Sequence, residues 1–208
     1  MLGHSQTSNS LIVFKLKRGL LLVLFFCSNK SMKNELRKIC IEKRKLISDK
    51  KIKDDIIMQK IFEFEEFKKA KNILTYYPLK YEIDTTCCFT KCDKNWYLPR
   101  CNNLELDICR YEAGKLNCGS FKIMEPVGEK IDDYSIIDMV ITPAVAVDIN
   151  GYRLGYGKGF YDRLFPQLNK NCIKVFVAYQ DLVLPDICPC CTDVKCDVIV
   201  TEEKIYKI

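Results

Sequence analysis

The chain has 208 residues, a length sufficient for one domain with a buried core. Its formal net charge is +6, but residues 1–31 hold four bases and no acid, which leaves 29 bases against 27 acids. This nearly neutral body argues against the basic face of a nucleic-acid-binding protein. Since the only histidine is His4, the body cannot use a histidine triad, a histidine general base or a histidine-containing zinc site.

The first 31 residues differ in character from the rest of the chain. A continuously apolar run at 20–27 follows Lys15, Lys17 and Arg18. The run is shorter than the roughly 20 residues that cross a bilayer, and its order resembles that of a signal peptide. The alternative is that Met32 is the natural start. We therefore separate a leader, 1–31, from a domain, 32–208, and expect no stable membrane span and a cytoplasmic location, or an organelle if the leader is a targeting segment.

Helix and strand patterns alternate along the domain. Apolar spacings of three and four predict helices at 33–47 and 51–69, and a third helix is predicted at 160–168. Apolar and β-branched runs predict strands at 72–77, 96–98, 104–111, 136–142, 145–147, 173–179 and 197–201. The stretch 114–128 is predicted to be irregular. This alternation indicates a single three-layer α/β/α domain, Rossmann-like, with a mostly parallel, mixed sheet.

The most informative segment is 150–162. Three glycines alternate there with other residues, at Gly155, Gly157 and Gly159. Backbone that approaches an oxyanion closely has no room for side chains, and consecutive N–H groups in such a turn form an anion-binding concavity. Lys158 and Arg153 add positive charge, and Asp162 can hold a metal ion. The segment therefore predicts a seat for the phosphates of a nucleotide.

The glycine segment also admits other interpretations. It is not a Walker A motif, because Gly159 stands where a Ser or Thr would bind magnesium. A dinucleotide-binding loop remains an alternative, since the predicted strand 173–179 ends near Asp181, where a ribose-binding acid would lie. Against it, the spacing is GxGxG, and Arg153 and Lys158 suit the more highly charged end of a triphosphate. A plain glycine-rich turn with a solvent-facing lysine is the structural alternative.

Thirteen cysteines are scattered through the sequence without the spacing of a secreted disulfide framework, which fits a reducing compartment. Four of them fall within nine residues: Cys188, Cys190, Cys191 and Cys196. They lack the paired CxxC spacing of a typical zinc site. We interpret them as reduced thiols and leave metal binding open.

The segment 150–162 resembles the signature of 5-formyltetrahydrofolate cyclo-ligases, also called methenyltetrahydrofolate synthetases. The resemblance covers most of 32–204. Supporting segments are Lys33 to Arg37, Tyr77 to Pro78, Glu82 to Thr85, and Cys191 to Asp193. It implies an enzyme that uses ATP and Mg²⁺ to convert 5-formyltetrahydrofolate into 5,10-methenyltetrahydrofolate, with release of ADP and phosphate. The implied steps are phosphorylation of the formyl oxygen and attack by N10 of the substrate.

The resemblance also implies roles for individual residues. Lys158 and Arg153 would stabilise charge on the transferring group, and Asp162 with Asp193 would hold Mg²⁺. The nucleotide would be contacted by Lys33, Arg37, Gly155, Tyr156, Gly157, Gly159, Phe160 and Tyr161. Tyr77 and Glu82 would contact the folate, the glutamate by accepting hydrogen bonds from pterin N–H groups.

Some expectations remain open at this point. Trp96 can stack on a ring of the substrate, and core packing explains it equally well. We expect small-molecule partners only, namely ATP and 5-formyltetrahydrofolate, and a monomer. Two alternative functions stay in view: a nicotinamide-dinucleotide-binding dehydrogenase, and a non-catalytic nucleotide binder on the same fold.

Overall fold

The computed structural model describes residues 10–15, 21–26 and 30–208. The α-helices are α1 (Lys30–Lys45), α2 (Lys50–Glu63), α3 (Glu65–Lys69), α4 (Cys88–Lys91) and α5 (Phe160–Leu164). The strands are β1 (Ser10–Lys15), β2 (Leu21–Phe26), β3 (Asn72–Leu74), β4 (Asn95–Asn102), β5 (Glu105–Arg110), β6 (Leu116–Cys118), β7 (Met124–Pro126), β8 (Met139–Pro143), β9 (Ala146–Asp148), β10 (Arg153–Leu154), β11 (Ile173–Val177), β12 (Val183–Leu184), β13 (Val198–Val200) and β14 (Ile205–Lys207). Within the described ranges, no helix has the length and apolar character needed to cross a bilayer.

A seven-stranded sheet lies at the centre of the domain, in the order β14-β13-β11-β8-β3-β4-β5. Its five inner strands run parallel, and β14 and β5 pair antiparallel at the two edges. Strand β8 sits in the middle, where Met139, Val140 and Ile141 are fully buried. Continuously apolar strands are typical of parallel sheets that are covered on both faces.

Side chains alternate between the two faces of the sheet and form two cores. On one face, Met139 and Ile141 pack with Leu36 of α1 and with residues of α2 and α3. On the other face, Val140 packs with Leu164 of α5 and with the 3₁₀ turn that follows it. The predicted three-layer α/β/α fold with a mostly parallel, mixed sheet is therefore confirmed.

The predicted helices differ from the observed ones in two places. The helix predicted at 51–69 is two helices, because Phe64 has extended backbone angles and packs its ring against the core. The helix predicted at 160–168 ends at Leu164 and continues as the 3₁₀ turn Phe165–Gln167. Pro166 explains this second change, since it has no N–H to donate to the preceding helical turn.

The stretch predicted to be irregular, 114–128, contains a short antiparallel pair, β6 with β7. Strands of three residues are too short to give an apolar periodicity, so the sequence pattern does not reveal them. The strand predicted at 136–142 begins three residues later, after the 3₁₀ turn Tyr134–Ile136.

The predicted leader is described only in part. Within it, β1 and β2 pair antiparallel, with Ser10 opposite Phe26 and Lys15 opposite Leu21. Residues 1–9, 16–20 and 27–29 lie outside the described residues. The division of the chain into a leader, 1–31, and a domain, 32–208, stays a prediction.

A buried carboxylate joins the helical layer to the end of β11. Asp54 of α2 accepts hydrogen bonds from the Tyr179 hydroxyl at 2.6 Å and from the Asp84 N–H at 3.1 Å, and it pairs with Lys50 at 2.5 Å. Asp54 and Tyr179 are only 2% and 1% exposed. Buried polar groups of this kind are stabilising only while their partners are present.

We therefore expect Tyr179→Phe to lower the free energy of unfolding by about 1.5–3 kcal/mol, the usual worth of a hydrogen bond to a charged group. Urea unfolding followed by circular dichroism measures this change. The control is Lys51→Ala, which removes an exposed pair with Asp55 on the same helix and should leave the unfolding midpoint unchanged. Equal effects of the two variants would contradict the role given to Asp54.

Candidate active site

A cavity of about 1440 Å³ opens near the carboxyl ends of the parallel strands. Its wall includes Tyr76 and Tyr77, which follow β3, and Pro143, which ends β8. Ligands of open α/β sheets bind outside these strand ends. The volume exceeds the roughly 300–1,000 Å³ of a typical small-molecule site. The cavity is therefore larger than a site for one small ligand requires.

Separate segments of the chain bring nearly all the predicted site residues to this cavity. Those that line it are Lys33, Arg37, Tyr77, Glu82, Arg153, Gly155, Tyr156, Gly157, Lys158, Gly159, Phe160, Tyr161, Asp162 and Asp193. The exception is Trp96, which is 5% exposed and packs 6.2 Å from Phe67 and 6.0 Å from Phe89, measured between ring centroids. The structure thus places Trp96 in the core, away from the cavity, which is the alternative that the sequence left open.

The hairpin of β9 and β10 presents the glycine loop to the cavity. Asp148, fully buried at the end of β9, accepts hydrogen bonds from the N–H groups of Asn150 at 2.9 Å and Tyr152 at 3.0 Å. Burial raises the pKa of Asp148, and these N–H donors partly offset that effect. Gly151, which lies between Asn150 and Tyr152, has a φ of +91° and faces Ile208. A side chain at this position would collide with Ile208. These contacts therefore fix the backbone conformation of the turn that precedes the loop.

The loop itself rests on a cation from α1. Arg37 donates from Nε to the Gly155 carbonyl at 2.7 Å, and Gly157, with a φ of +92°, lies above its guanidinium. A Cβ added at Gly157 would lie 3.3 Å from Arg37 Cζ. Gly159, with a φ of +67°, then precedes α5 as its N-cap residue. Glycine at these positions thus permits both the left-handed backbone conformation and the close approach of Arg37.

The two cations of the loop have very different surroundings. Lys158 is exposed and lies 5.7 Å from the centroid of the Phe121 ring. Arg153 is buried, and its Cζ lies 5.3–5.4 Å from the ring centroids of Tyr161, Phe165 and Phe176. Burial lowers the pKa of Arg153, while Asp162, 3.3 Å away, counteracts that shift. Lys158 is thus the solvent-exposed charge of the loop, and Arg153 is the buried one.

Both predicted metal ligands are paired with bases. Asp162 pairs with Arg153 and also accepts from the Val194 N–H at 3.4 Å. Asp193 pairs with Lys33 and accepts from the Cys190 N–H at 2.7 Å. Burial acts to raise the pKa of Asp193, but the hydrogen bonds from Lys33 and Cys190 outweigh it and leave that pKa below its ordinary value. Both acids therefore face one cavity with a basic partner already in contact.

A second polar group lies around Glu82. This residue is 4% exposed and accepts hydrogen bonds from the Tyr156 hydroxyl at 3.0 Å and the Leu79 N–H at 2.9 Å. Arg44 of α1 in turn donates to the Tyr156 hydroxyl and, at 3.1 Å, to the Ala144 carbonyl. Burial, followed by the charge of Glu82, raises the pKa of Tyr156 to about 12, so its hydroxyl remains a donor. Glu82 is thus oriented before any ligand arrives.

Sequence reasoning did not identify Arg44. Its position carried a signal, since Lys33, Arg37 and Arg44 are spaced by four and seven residues and share one face of α1. That face is the buried one, next to Leu36 and Cys40. A basic residue on a buried helical face has to find an acceptor, and this requirement predicts a role in the site.

Two sequence alternatives find no support in the geometry. Asp181, on which the dinucleotide interpretation depended, lies in the 3₁₀ turn Gln180–Leu182 and does not line the cavity. Of the four clustered cysteines, Cys196 is buried and does not line the cavity, whereas the other three do. Among the described residues, no group of three or more Cys, His, Asp or Glu side chains is arranged to hold a metal ion.

Comparison with known proteins agrees with the geometry. A model of the 5-formyltetrahydrofolate cyclo-ligase family matches residues 29–202. The chain belongs to this family of enzymes. A probable 5-formyltetrahydrofolate cyclo-ligase of Schizosaccharomyces pombe is 30% identical over 198 residues, covering 84% of this chain and 97% of the relative. The 5-formyltetrahydrofolate cyclo-ligase of Mycoplasma pneumoniae is 29% identical, covering 82% and 99%.

Solved structures give the same result. The 5,10-methenyltetrahydrofolate synthetase of Aquifex aeolicus has a TM-score of 0.75 and 35% identity, covering 85% of this chain and 92% of that one. The synthetase of Mycoplasma pneumoniae has a TM-score of 0.68 and 26% identity, covering 82% and 98%. The family resemblance predicted from residues 150–162 is therefore confirmed.

The contact between the glycine loop and Arg37 predicts the behaviour of Gly157→Ala. A left-handed backbone costs about 1–2 kcal/mol for a residue with a Cβ, and the added methyl also displaces Arg37. We expect cyclo-ligase turnover to fall about 10- to 100-fold, as for other small displacements of positioning groups. The matched control is Gly114→Ala, where φ is +78° but nothing lies within 4 Å of the new Cβ. It should lose similar stability in urea unfolding and keep its turnover; equal turnover in both variants would contradict the proposed contact.

Proposed function

We propose that the protein uses ATP and Mg²⁺ to convert 5-formyltetrahydrofolate into 5,10-methenyltetrahydrofolate, with release of ADP and phosphate. The observation that carries the proposal is that one cavity is lined both by the cationic glycine loop and by the oriented carboxylate of Glu82. Its volume, above that of a typical single-ligand site, supports the binding of a nucleotide and a folate together. Family membership supports the cyclo-ligase activity, and the residues that line the cavity support the use of ATP and Mg²⁺.

The nucleotide end of the cavity would be the glycine loop. N–H groups at Gly155, Gly157 and Gly159 would face the phosphates, because left-handed turns of this kind form anion-binding concavities. Lys158 is exposed on the loop and free to follow the transferring phosphoryl group, whereas Arg37 supports the loop from below. Lys33 would contact the far side of the nucleotide.

The chemical difficulty of the reaction is its leaving group. Closing the ring requires loss of the formyl oxygen, and oxide or hydroxide leaves badly. Transfer of the γ-phosphoryl group to that oxygen converts it into phosphate, which leaves well, and N10 of the substrate then attacks the carbon. Because the substrate supplies its own nucleophile, the enzyme needs no histidine. The protein contributes positioning and charge stabilisation, as in other phosphoryl transfers.

The donor set fits a Mg²⁺ ion that arrives with a nucleotide. Mg²⁺ in such sites typically takes one or two carboxylates together with phosphate oxygens and water, and does not need a complete protein cage. Asp162 and Asp193 face the same cavity and would hold the ion there. When bound, Mg²⁺ offsets phosphate charge. Lys33 and Arg153, which pair with these acids, keep both carboxylates in place without it.

The folate end would be organised by Glu82. Its carboxylate keeps lone pairs available beyond its contacts with Tyr156 and Leu79, and a pterin ring offers adjacent N–H donors. Tyr77 lies on the same wall. We assign both residues to folate binding and assign no substrate contact to Trp96.

The proposal is tested by the absorbance of the methenyl product with 5-formyltetrahydrofolate, Mg²⁺ and ATP, each omitted in turn. Lys158→Ala should lower turnover by about 10²–10³, the usual cost of removing one donor from a developing oxyanion. Its matched control is Lys195→Ala, another exposed lysine beside an aromatic ring, Tyr152 at 5.1 Å, that does not line the cavity. Full turnover in Lys158→Ala, or product formation without ATP, would refute the proposed chemistry.

The variant Glu82→Gln distinguishes the proposed folate end of the cavity from the proposed nucleotide end. Loss of a charged hydrogen-bond acceptor costs about 1.5–3 kcal/mol, so KM for the folate should rise by roughly 10- to 100-fold while KM for ATP changes little. Tyr156→Phe keeps the carboxylate and removes one hydrogen bond to it, so it should raise the same constant by less. Steady-state kinetics with either substrate varied gives both values. A larger effect on KM for ATP would reverse the assignment of the two ends.

A further inference from the structure

A cysteine-rich segment forms part of the cavity wall and has no role in the reaction described above. Cys188, Cys190 and Cys191 all line the cavity, next to Asp193. Cys190 and Cys191 are exposed, whereas Cys188 is half-buried. The cavity is the place where a chemical change at a thiol would have the greatest consequence for ligand entry.

Few thiols of the described part are as accessible as these two. Among its twelve cysteines, the exposed ones are Cys118, Cys190 and Cys191, and Cys118 does not line the cavity. Cys188 is a poor nucleophile, since burial, followed by the charge of Asp186, raises the pKa of its thiol to about 11. Among the thiols of the described residues, reagents in solution would therefore meet three first, two of which lie at the cavity.

Cys190 is also connected to the proposed nucleotide end. Its N–H donates to Asp193 at 2.7 Å, and Asp193 pairs with Lys33 across the cavity wall. The Cys190 sulfur lies 3.2 Å from Thr192 Oγ1, within the same short turn. A group attached to this sulfur would lie beside Asp193 and Lys33, which are assigned to metal and nucleotide binding.

We propose that Cys190 and Cys191 form a thiol-modification site at which a small disulfide, of the glutathione class, reversibly closes the nucleotide end of the cavity. The thiolate of either residue attacks one sulfur of the disulfide. A mixed protein disulfide forms, the disulfide's own S–S bond breaks, and the other half leaves as a thiolate that takes up a proton. A reducing thiol reverses the exchange. The inhibitory consequence rests on the proposed function, whereas the site of modification does not.

The test uses the full chain carrying Cys27→Ser, because Cys27 lies outside the described residues. The protein is treated with glutathione disulfide and sampled over time for peptide mapping by mass spectrometry, cyclo-ligase turnover and the rise in Tm caused by Mg-ATP. Turnover and the Tm rise should fall in proportion to the adduct on Cys190 and Cys191, and dithiothreitol should restore both. Mg-ATP at about ten times its Kd should slow adduct formation there about tenfold.

Two variants complete the experiment, each compared with its own untreated sample. Cys190→Ser/Cys191→Ser should become insensitive to the disulfide, whereas Cys118→Ser should remain as sensitive as the parent. Unchanged sensitivity of the double variant, adducts confined to Cys118, or full occupancy of Cys190 and Cys191 without loss of the Mg-ATP effect would each overturn the inference. An untreated protein without turnover would instead refute the proposed function, and the peptide map and the Tm rise would still judge the thiol site.

Discussion

The approach of Arg37 to the glycine loop is the contact on which the site depends. Arg37 and Gly155 are 118 residues apart, and their hydrogen bond at 2.7 Å joins α1 to the glycine loop at the cavity. The contact exists only because α1 is fixed by burial of Leu36 and Cys40 against the sheet. A loop of glycines has little stiffness of its own, since glycine gives up more conformational freedom than other residues on folding. Its shape therefore has to be imposed by packing from outside.

Buried charge serves the same purpose on either side of the loop. Arg153 is enclosed by three aromatic rings and one carboxylate, and Arg44 is held between a tyrosine hydroxyl and a backbone carbonyl. Desolvation makes such groups costly, and removing one partner of a buried pair typically destabilises a protein by about 3–5 kcal/mol. Because this desolvation cost offsets much of the attraction between the partners, buried arginines are poor sources of net stability. They suit a site that has to hold acceptors and donors in place before its ligands arrive.

The sequence predicted the parts of this molecule that repeat with a period or carry a local rule. Helical spacing located α1, and the glycine spacing located the loop. The sequence did not predict that Tyr156 contacts Glu82, 74 residues away, or that Arg44 supports that contact. A periodic pattern tells which face of an element is buried, but not which partner it meets there. Trp96 illustrates the same limit, because stacking on a ligand and packing in a core use the same aromatic surface.

The balance of charge at the loop bears on how a nucleotide would bind. Lys33 and Arg153 are paired with Asp193 and Asp162, and these pairs cancel in charge. The cations in excess around the loop are then Lys158, Arg37 and Arg163, and the two arginines are occupied with backbone carbonyls. A triphosphate carries more negative charge than three cations offset. The arrangement therefore favours a nucleotide that arrives together with a divalent ion, for which the two carboxylates already face the cavity.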